Sequence, residues 1–213
     1  MSTRAVIDLL GMLAYGELHA FDRMANDARL APDLQRRAAL SSMAGVEIAN
    51  YARLSARLTE LGVDPEVAMG PFVTPLHEFH DQTEPRDWLE ALTKAYVGDG
   101  IADDFFREVA AFLSAPDRQL VLDVLHDTRY DDFACAEIKR AIEADPAVAN
   151  RLSMWARRLV GEGLSQAQRV AVDRPALAML IVEGTGDQAG VQALLKRLTT
   201  AHTTRMAALG LNN

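Results

Sequence analysis

Four long stretches of this sequence with helical periodicity each place a carboxylate on the face that should be buried. In the first, apolar residues recur at steps of three and four, and Glu17 completes the spacing between Leu13 and Ala20. An unpaired carboxylate in a dry core costs on the order of several kcal/mol, so such acids need protons, cations or hydrogen-bond donors. The corresponding acids of the other three stretches are Glu47, Asp99 and Asp127.

Helical periodicity dominates the whole chain, and no alternating strand pattern or hairpin turn signal interrupts it. The sequence therefore predicts an all-α fold. Proline, glycine and aspartate clusters divide the chain into segments. We expect long helices over 4–28, 33–61, 86–113, 117–144, 147–172 and 187–209, with shorter helical pieces near 72–82 and 175–182.

The lengths of the connections predict how these helices are arranged. The first two helices, and likewise the third and fourth, are joined by a few residues and should pack antiparallel. A long connection of about 25 residues separates the two hairpins, as in ferritin-like four-helix bundles. We expect a single domain over 1–213, with the bundle core in 1–145 and additional C-terminal helices in 146–213 packed on it.

Charge and hydropathy limit the possible partners. The net charge of -8 argues against general nucleic-acid binding, which depends on Lys and Arg. The charge is uneven, because 1–145 carries 14 basic and 26 acidic side chains (net -12) and 146–213 carries 8 and 4 (net +4). No apolar run of about 18 residues occurs, so we expect no membrane association and a cytoplasmic location.

The four inward acids follow the order of a known ligand pattern. Ferritin-like di-iron proteins take one Glu from each of two helices and a Glu-x-x-His pair from each of the other two. Here Asn50 follows Glu47 at the histidine spacing, and Tyr130 follows Asp127 in the same way. Neither replaces imidazole well, because Asn offers a neutral oxygen and Tyr binds ferrous iron poorly.

Three further segments carry a resemblance to a known family: 11–18 (GMLAYGEL), 94–100 (KAYVGDG) and 155–162 (WARRLVGE). Through them, nearly the whole chain resembles the ferritin-like proteins grouped with the MiaE-type tRNA hydroxylases. The resemblance implies a non-haem di-iron hydroxylase that acts on a tRNA base or another small hydrophobic substrate. It also implies that Glu17, Glu47, Asn50, Asp99, Asp127 and Tyr130 stand at the positions of the metal ligands.

The substitutions leave three outcomes open for this site. It holds one or two hard divalent metals through oxygen ligands, it retains a weakened iron site, or it is metal-free. In the metal-free case, the Asn50 amide and the Tyr130 hydroxyl donate hydrogen bonds to the surrounding carboxylates. Asp103 and Asp131 lie at stripe edges, where they either support the site or face solvent.

The basic side chains of the fifth helix are the best candidates for contact with RNA or an anionic substrate. Arg151, Arg157 and Arg158 lie near Trp155 in the positive part of the chain. The alternative is a solvated helix face. Apart from these, His77 and His80 form a local pair, which alone makes no metal site, and His19 should point away from the face of Glu17.

Two functions remain open from the sequence. One is a metal-dependent hydroxylase, and the other is a non-catalytic ferritin-like binding protein with a hydrogen-bonded polar core. The C-terminal helices carry apolar residues that need cover, either in a homodimer or against their own bundle: Leu177, Leu180, Ile181, Leu194 and Leu195.

Overall fold

The computed structural model describes residues 3–125 and 128–212, and within these ranges it contains helices and no strand. The all-α prediction is therefore confirmed. A short 3-10 turn at Ala28–Leu30 follows the first helix, and a π-helical turn occupies Ala95–Asp99. The α-helices are α1 (Thr3–Asp27), α2 (Leu34–Glu60), α3 (Pro65–Gln82), α4 (Trp88–Lys94), α5 (Gly100–Ala110), α6 (Ala115–Val124), α7 (Arg129–Ala144), α8 (Ala147–Asp173), α9 (Pro175–Thr185) and α10 (Gln188–Ala208).

Helices α1 and α2 form the first antiparallel hairpin of the bundle. The Asp33 carboxylate begins α2 by accepting a hydrogen bond from the backbone N–H of Arg36 at 2.8 Å. Gly62 follows the end of α2 with a φ of 76°, a conformation that glycine adopts without strain. These local signals place the ends of α2 within a residue or two of the prediction.

The crossover contains a longer helix than the sequence predicted. We expected a break up to Pro71, but α3 begins at Pro65 and continues through Pro71 and Pro75. The Asp64 carboxylate accepts from the N–H of Glu66 at 2.9 Å, and Pro65 in the first turn needs no N–H partner. Packing against α1 outweighs the two internal prolines.

One predicted continuous helix is interrupted, and that prediction is wrong, whereas the other is helical throughout 88–110 but changes to π-helical geometry in its middle. The helix expected over 86–113 is divided into α4, the π-helical turn and α5, where Gly98 and Gly100 weaken the regular helix. The helix expected over 117–144 is divided into α6 and α7. At the end of α6, backbone carbonyls accept side-chain hydrogen bonds instead: Asn50 donates to Val124, and Arg107 donates to Leu125.

Two apolar clusters form the core, with a polar layer between them. One cluster joins the first half of α1 to the second half of α2, and includes Leu13 and Leu54. The other joins the second half of α1 to the first half of α2, and includes Met24 and Ala44. The inward acids lie between these clusters. Throughout the described ranges, no helix is both long and apolar enough to span a membrane.

Candidate polar centre of the bundle

The acids of the first hairpin come together as the sequence predicted. The carboxyl groups of Glu17 on α1 and Glu47 on α2 share a hydrogen bond. Asn50, one turn after Glu47, donates its amide to Glu17 Oε2 at 3.3 Å and to the Val124 carbonyl at 3.1 Å. Glu17 and Asn50 are each 7% exposed, and Glu47 is half-buried. Asn50 therefore joins α2 to both α1 and the end of α6.

Burial favours the protonated form of several acids in this layer. Desolvation, the hydrogen bond with Glu47 and the charges of Glu47 and Asp103 raise the pKa of Glu17 well above its ordinary value. Desolvation, followed by the charge of Asp99, raises the pKa of Asp103 to about 8. Asp103 therefore holds its proton at neutral pH for the most part, and the raised pKa of Glu17 favours its protonated form beside Glu47.

A buried arginine, which the sequence analysis missed, reaches into the same layer. The Arg23 side chain is 6% exposed, and its Nη2 donates to the carboxylate of Asp99 at the end of the π-helical turn. Its Nη1 also lies 3.8 Å from Asp27. Asp99 keeps a raised pKa because desolvation outweighs the opposing effects of Arg23 and Lys94. The sequence does contain a signal for the burial of this arginine, because Ala20, Arg23 and Asp27 are spaced by three and four residues on the inner face of α1.

The residues predicted on the fourth helix do not all reach the centre. Tyr130 is half-buried, and its hydroxyl donates to the Leu92 carbonyl at 3.5 Å rather than to a carboxylate. The hydrogen bond that we expected from Tyr130 to an acid is therefore wrong. Asp131 is exposed, although partial desolvation raises the pKa of its side chain. Asp127 lies outside the described residues.

The described residues do not fit a di-iron pair. Imidazole is missing at position 50, and the Asp99 carboxylate is bound by the Arg23 guanidinium. A fixed positive charge beside the predicted ligands opposes a second cation. Within 3–125 and 128–212, no three His, Cys, Asp or Glu side chains are arranged to hold a metal ion.

The comparison with known families agrees with the bundle geometry. Residues 2–184 match the family model described as a ferritin-like domain of actinomycetes. This chain belongs to that ferritin-like family. No curated protein matches the chain. The match covers the bundle and most of the C-terminal helices, so the ferritin-like fold holds for nearly the whole sequence.

In this ferritin-like domain the predicted RNA-contacting arginines bind their own chain. Arg151 pairs with Asp87 at 2.7 Å and with Glu90 at 3.1 Å. Arg158 donates to the Gln82 carbonyl at 2.5 Å, and Arg157 donates to the Asn212 carbonyl at 3.3 Å. These contacts join α8 to the end of α3, to the start of α4 and to the C-terminus.

The apolar C-terminal residues of the ferritin-like domain pack mostly within the chain. Leu177, Leu180 and Leu194 are each less than 5% exposed, and Ile181 is half-buried. Leu195 is 48% exposed. A homodimer stays a prediction, and Leu195 is the one of these five residues that is exposed.

Three histidines of the domain are neighbours across α1 and α3. The rings of His19 and His80 stack with centroids 3.8 Å apart, and the His77 ring meets His19 edge-on at 5.6 Å. Stacked parallel rings direct their nitrogens in separate planes, which is unsuitable for a shared metal. Desolvation, followed by the charge of Arg23, lowers the pKa of His19 to about 4, so this imidazole is neutral at pH 7.

Proposed function

We propose that this ferritin-like protein is a binding protein whose bundle centre is a proton-holding, arginine-paired network in place of a di-iron pair. The observation that carries the proposal is the pairing of buried Arg23 with Asp99. A guanidinium supplies one positive charge and five N–H donors in a fixed plane, so it satisfies a carboxylate without metal.

The remaining acids are satisfied in the same way. Glu17 and Glu47 share a hydrogen bond, and Asn50 donates to Glu17. Each of these hydrogen bonds occupies a carboxyl oxygen that would otherwise be available to bind a metal ion. The centre therefore serves to hold the helices in register, and binding takes place on other surfaces of the protein.

The test is elemental analysis of the full chain purified from iron-supplied cells, together with dioxygen consumption. We expect iron far below one equivalent per chain and no consumption above the buffer rate. The control is Glu17→Gln with Glu47→Gln, which removes both acids of the first hairpin. Stoichiometric iron that disappears in this control would overturn the proposal.

The second candidate is a hydroxylase similar to the MiaE-type tRNA enzymes with an altered iron or other divalent-metal site. The observation in its favour is that Glu17 and Glu47 adjoin each other on α1 and α2, which keeps half of the family's ligand set in place. Its substrate would be a tRNA base or a small hydrophobic molecule, and its location the cytoplasm.

A tRNA-binding titration separates this candidate from the first. Wild type is compared with Arg157→Ala/Arg158→Ala, and Arg169→Ala, at another exposed position on α8, is the matched control. Salt-dependent binding that the double variant loses and the control keeps would favour the tRNA enzyme. Equal absence of binding in all three proteins favours the metal-free binding protein.

A further inference from the structure

An open pocket of about 690 Å³ lies beside the polar centre and shares Arg23 with it. The last turns of α1, the end of α3 and the turn before α4 form its walls. The buried part of the lining consists of Arg23, Asp27 and Lys94, with His19 and His80 half-buried. Its remaining lining is mostly exposed and charged, namely Asp22, Asn26, Arg29, Leu30, Asp81 and Glu84, with half-buried Pro85.

The lysine in this pocket is unusual for the chain. Only three of the 22 basic side chains are lysines, and the other two, Lys139 and Lys196, are exposed. Lys94 is 3% exposed. Its Nζ donates to the Thr83 carbonyl at 2.7 Å and lies 5.5 Å from the centre of the Phe79 ring. An ammonium has three donors, so this single hydrogen bond leaves two of them.

The surroundings of Lys94 favour the neutral amine. Desolvation, followed by the charge of Arg23, lowers the pKa of Lys94 to about 8, while Asp99, Asp27 and Glu84 act in the opposite direction. A neutral amine has a free electron pair and is a nucleophile. Arginine does not deprotonate in proteins, so no arginine could supply this chemistry at the same position.

We propose that Lys94 forms an imine with a small carbonyl compound that carries an acidic group, such as an aldehyde acid or an α-keto acid. This inference goes beyond the proposed function: the pocket shares Arg23 with the bundle centre, but imine trapping at Lys94 and metal content are measured separately. The charge of Arg23 is shared with Asp99 and Asp27, but its buried Nε has no hydrogen-bond partner and is the donor offered to the acidic group. The acidic side chains at the rim are exposed and therefore screened by salt.

The reaction is a condensation without oxidation or reduction. The nitrogen of Lys94 attacks the carbonyl carbon, a C–N bond forms, and the proton lost by nitrogen is taken up by oxygen. The hydroxyl of this carbinolamine then leaves as water with a second proton, and the C=N bond forms. Both protons exchange with solvent through the open pocket, because burial and the charge of Lys94 lower the pKa of the His80 imidazole and leave it too weak a base to carry them.

The test incubates the full-length protein with glyoxylate at pH 7.5 and traps imines with cyanoborohydride. Peptide mass spectrometry then measures the modification of each lysine. We expect Lys94 to react about tenfold faster than Lys139 or Lys196, because its lowered pKa of about 8 leaves an appreciable fraction of it as the neutral, nucleophilic amine at pH 7.5. Faster reaction at the two exposed lysines, or equal reaction at all three, would overturn the proposal.

Three controls sharpen this test. Lys94→Arg keeps the charge and should lose the trapped adduct, whereas Lys139→Arg should keep the adduct at Lys94. Propionaldehyde, which lacks the acidic group, should label Lys94 more slowly than glyoxylate, and an equal rate would exclude recognition of that group. If Lys94→Arg fails to fold, the labelling rate of Lys94 in the wild-type protein still tests the proposal. This rate should increase with pH, with a midpoint near pH 8. A midpoint near pH 10 contradicts the proposal.

Discussion

Arg23 on α1 and Asp99 in the π-helical turn form an ion pair across the centre of the bundle. The arginine side chain is 6% exposed, whereas 43% of the Asp99 side chain is accessible. The guanidinium is thus the more deeply buried partner, and its desolvation is balanced by Asp99 and Asp27. In the proposed function, this pair takes the place of a metal cation beside Asp99.

Replacing Arg23 by leucine should destabilise the fold, because it leaves Asp99 and Asp27 without their cation. Breaking a buried pair costs about 3–5 kcal/mol, and the exposure of Asp99 places the expected loss near the lower value. Urea unfolding at pH 7 measures it. In the double variant Arg23→Leu/Asp99→Leu, much of the loss should return, since no uncompensated acid remains at position 99.

The matched control is Arg169→Ala, which removes an ion pair with Glu78 whose partners are both well exposed. Exposed pairs contribute about 0–1 kcal/mol, so this variant should remain close to wild type. A loss in Arg23→Leu no larger than in the control would show that the guanidinium does not stabilise the centre.

The stability of the protein should fall as pH rises from 6.5 to 8. Asp103 has a folded pKa of about 8 and an ordinary value in the unfolded chain, so the native state binds the extra proton in this window. The raised pKa of Glu17 also makes stability fall as pH rises. Below about pH 6.5 the histidines of the unfolded chain become protonated, whereas His19 in the folded protein stays neutral down to about pH 4. His19 therefore makes stability fall as pH falls, which is opposite to the effect of Asp103.

Asp103→Asn is the variant that isolates this effect. It imitates the protonated acid and should flatten the fall in stability between pH 6.5 and 8, as measured by urea midpoints. Asp104→Asn changes the neighbouring acid, which pairs with Arg205, and serves as the control. An unchanged slope in Asp103→Asn would mean that Asp103 is ionised at neutral pH.

The sequence predicted the bundle because its information is local and periodic. The stripe that includes Glu17, and the caps and glycine turns such as Asp33 and Gly62, each act within a few residues. The meeting of Glu17, Glu47 and Asn50 followed from the same periodicity. These parts could be predicted without knowing any long-range contact.

The features that sequence did not predict depend on contacts between distant segments. Arg23 carries a charge usually found at the surface, and besides Asp27, one turn later, its main partner is Asp99, 76 positions later in the chain. Lys94 is buried because it meets the end of α3, and α3 continues through Pro71 because it packs on α1. A pattern within a few residues of the sequence does not indicate which distant segment will contact these side chains.

Asn50 should be needed as a hydrogen-bond donor. Asn50→Leu has a similar size but leaves the Val124 carbonyl and the Glu17 carboxyl without its amide, which should cost about 1–3 kcal/mol. Asn50→Asp adds a third acid beside Glu17 and Glu47 and should be worse at pH 8 than at pH 5. Chemical denaturation at both pH values measures this. Equal losses at the two pH values would indicate that the residue at position 50 does not face these acids.

The close approach of α1 and α3 should depend on the absence of a side chain at Gly11. A Cβ built there would lie 2.4 Å from the backbone oxygen of Ala68, which cannot rotate away. Gly11→Ala should therefore destabilise the fold by about 1–3 kcal/mol, since overpacking forces the helices apart. Gly16→Ala, in the same helix with no atom within 4 Å, should stabilise it by up to about 1 kcal/mol through helix propensity. Thermal unfolding of the two variants gives opposite shifts if α3 lies against α1 at Gly11, and shifts of the same sign would contradict that contact.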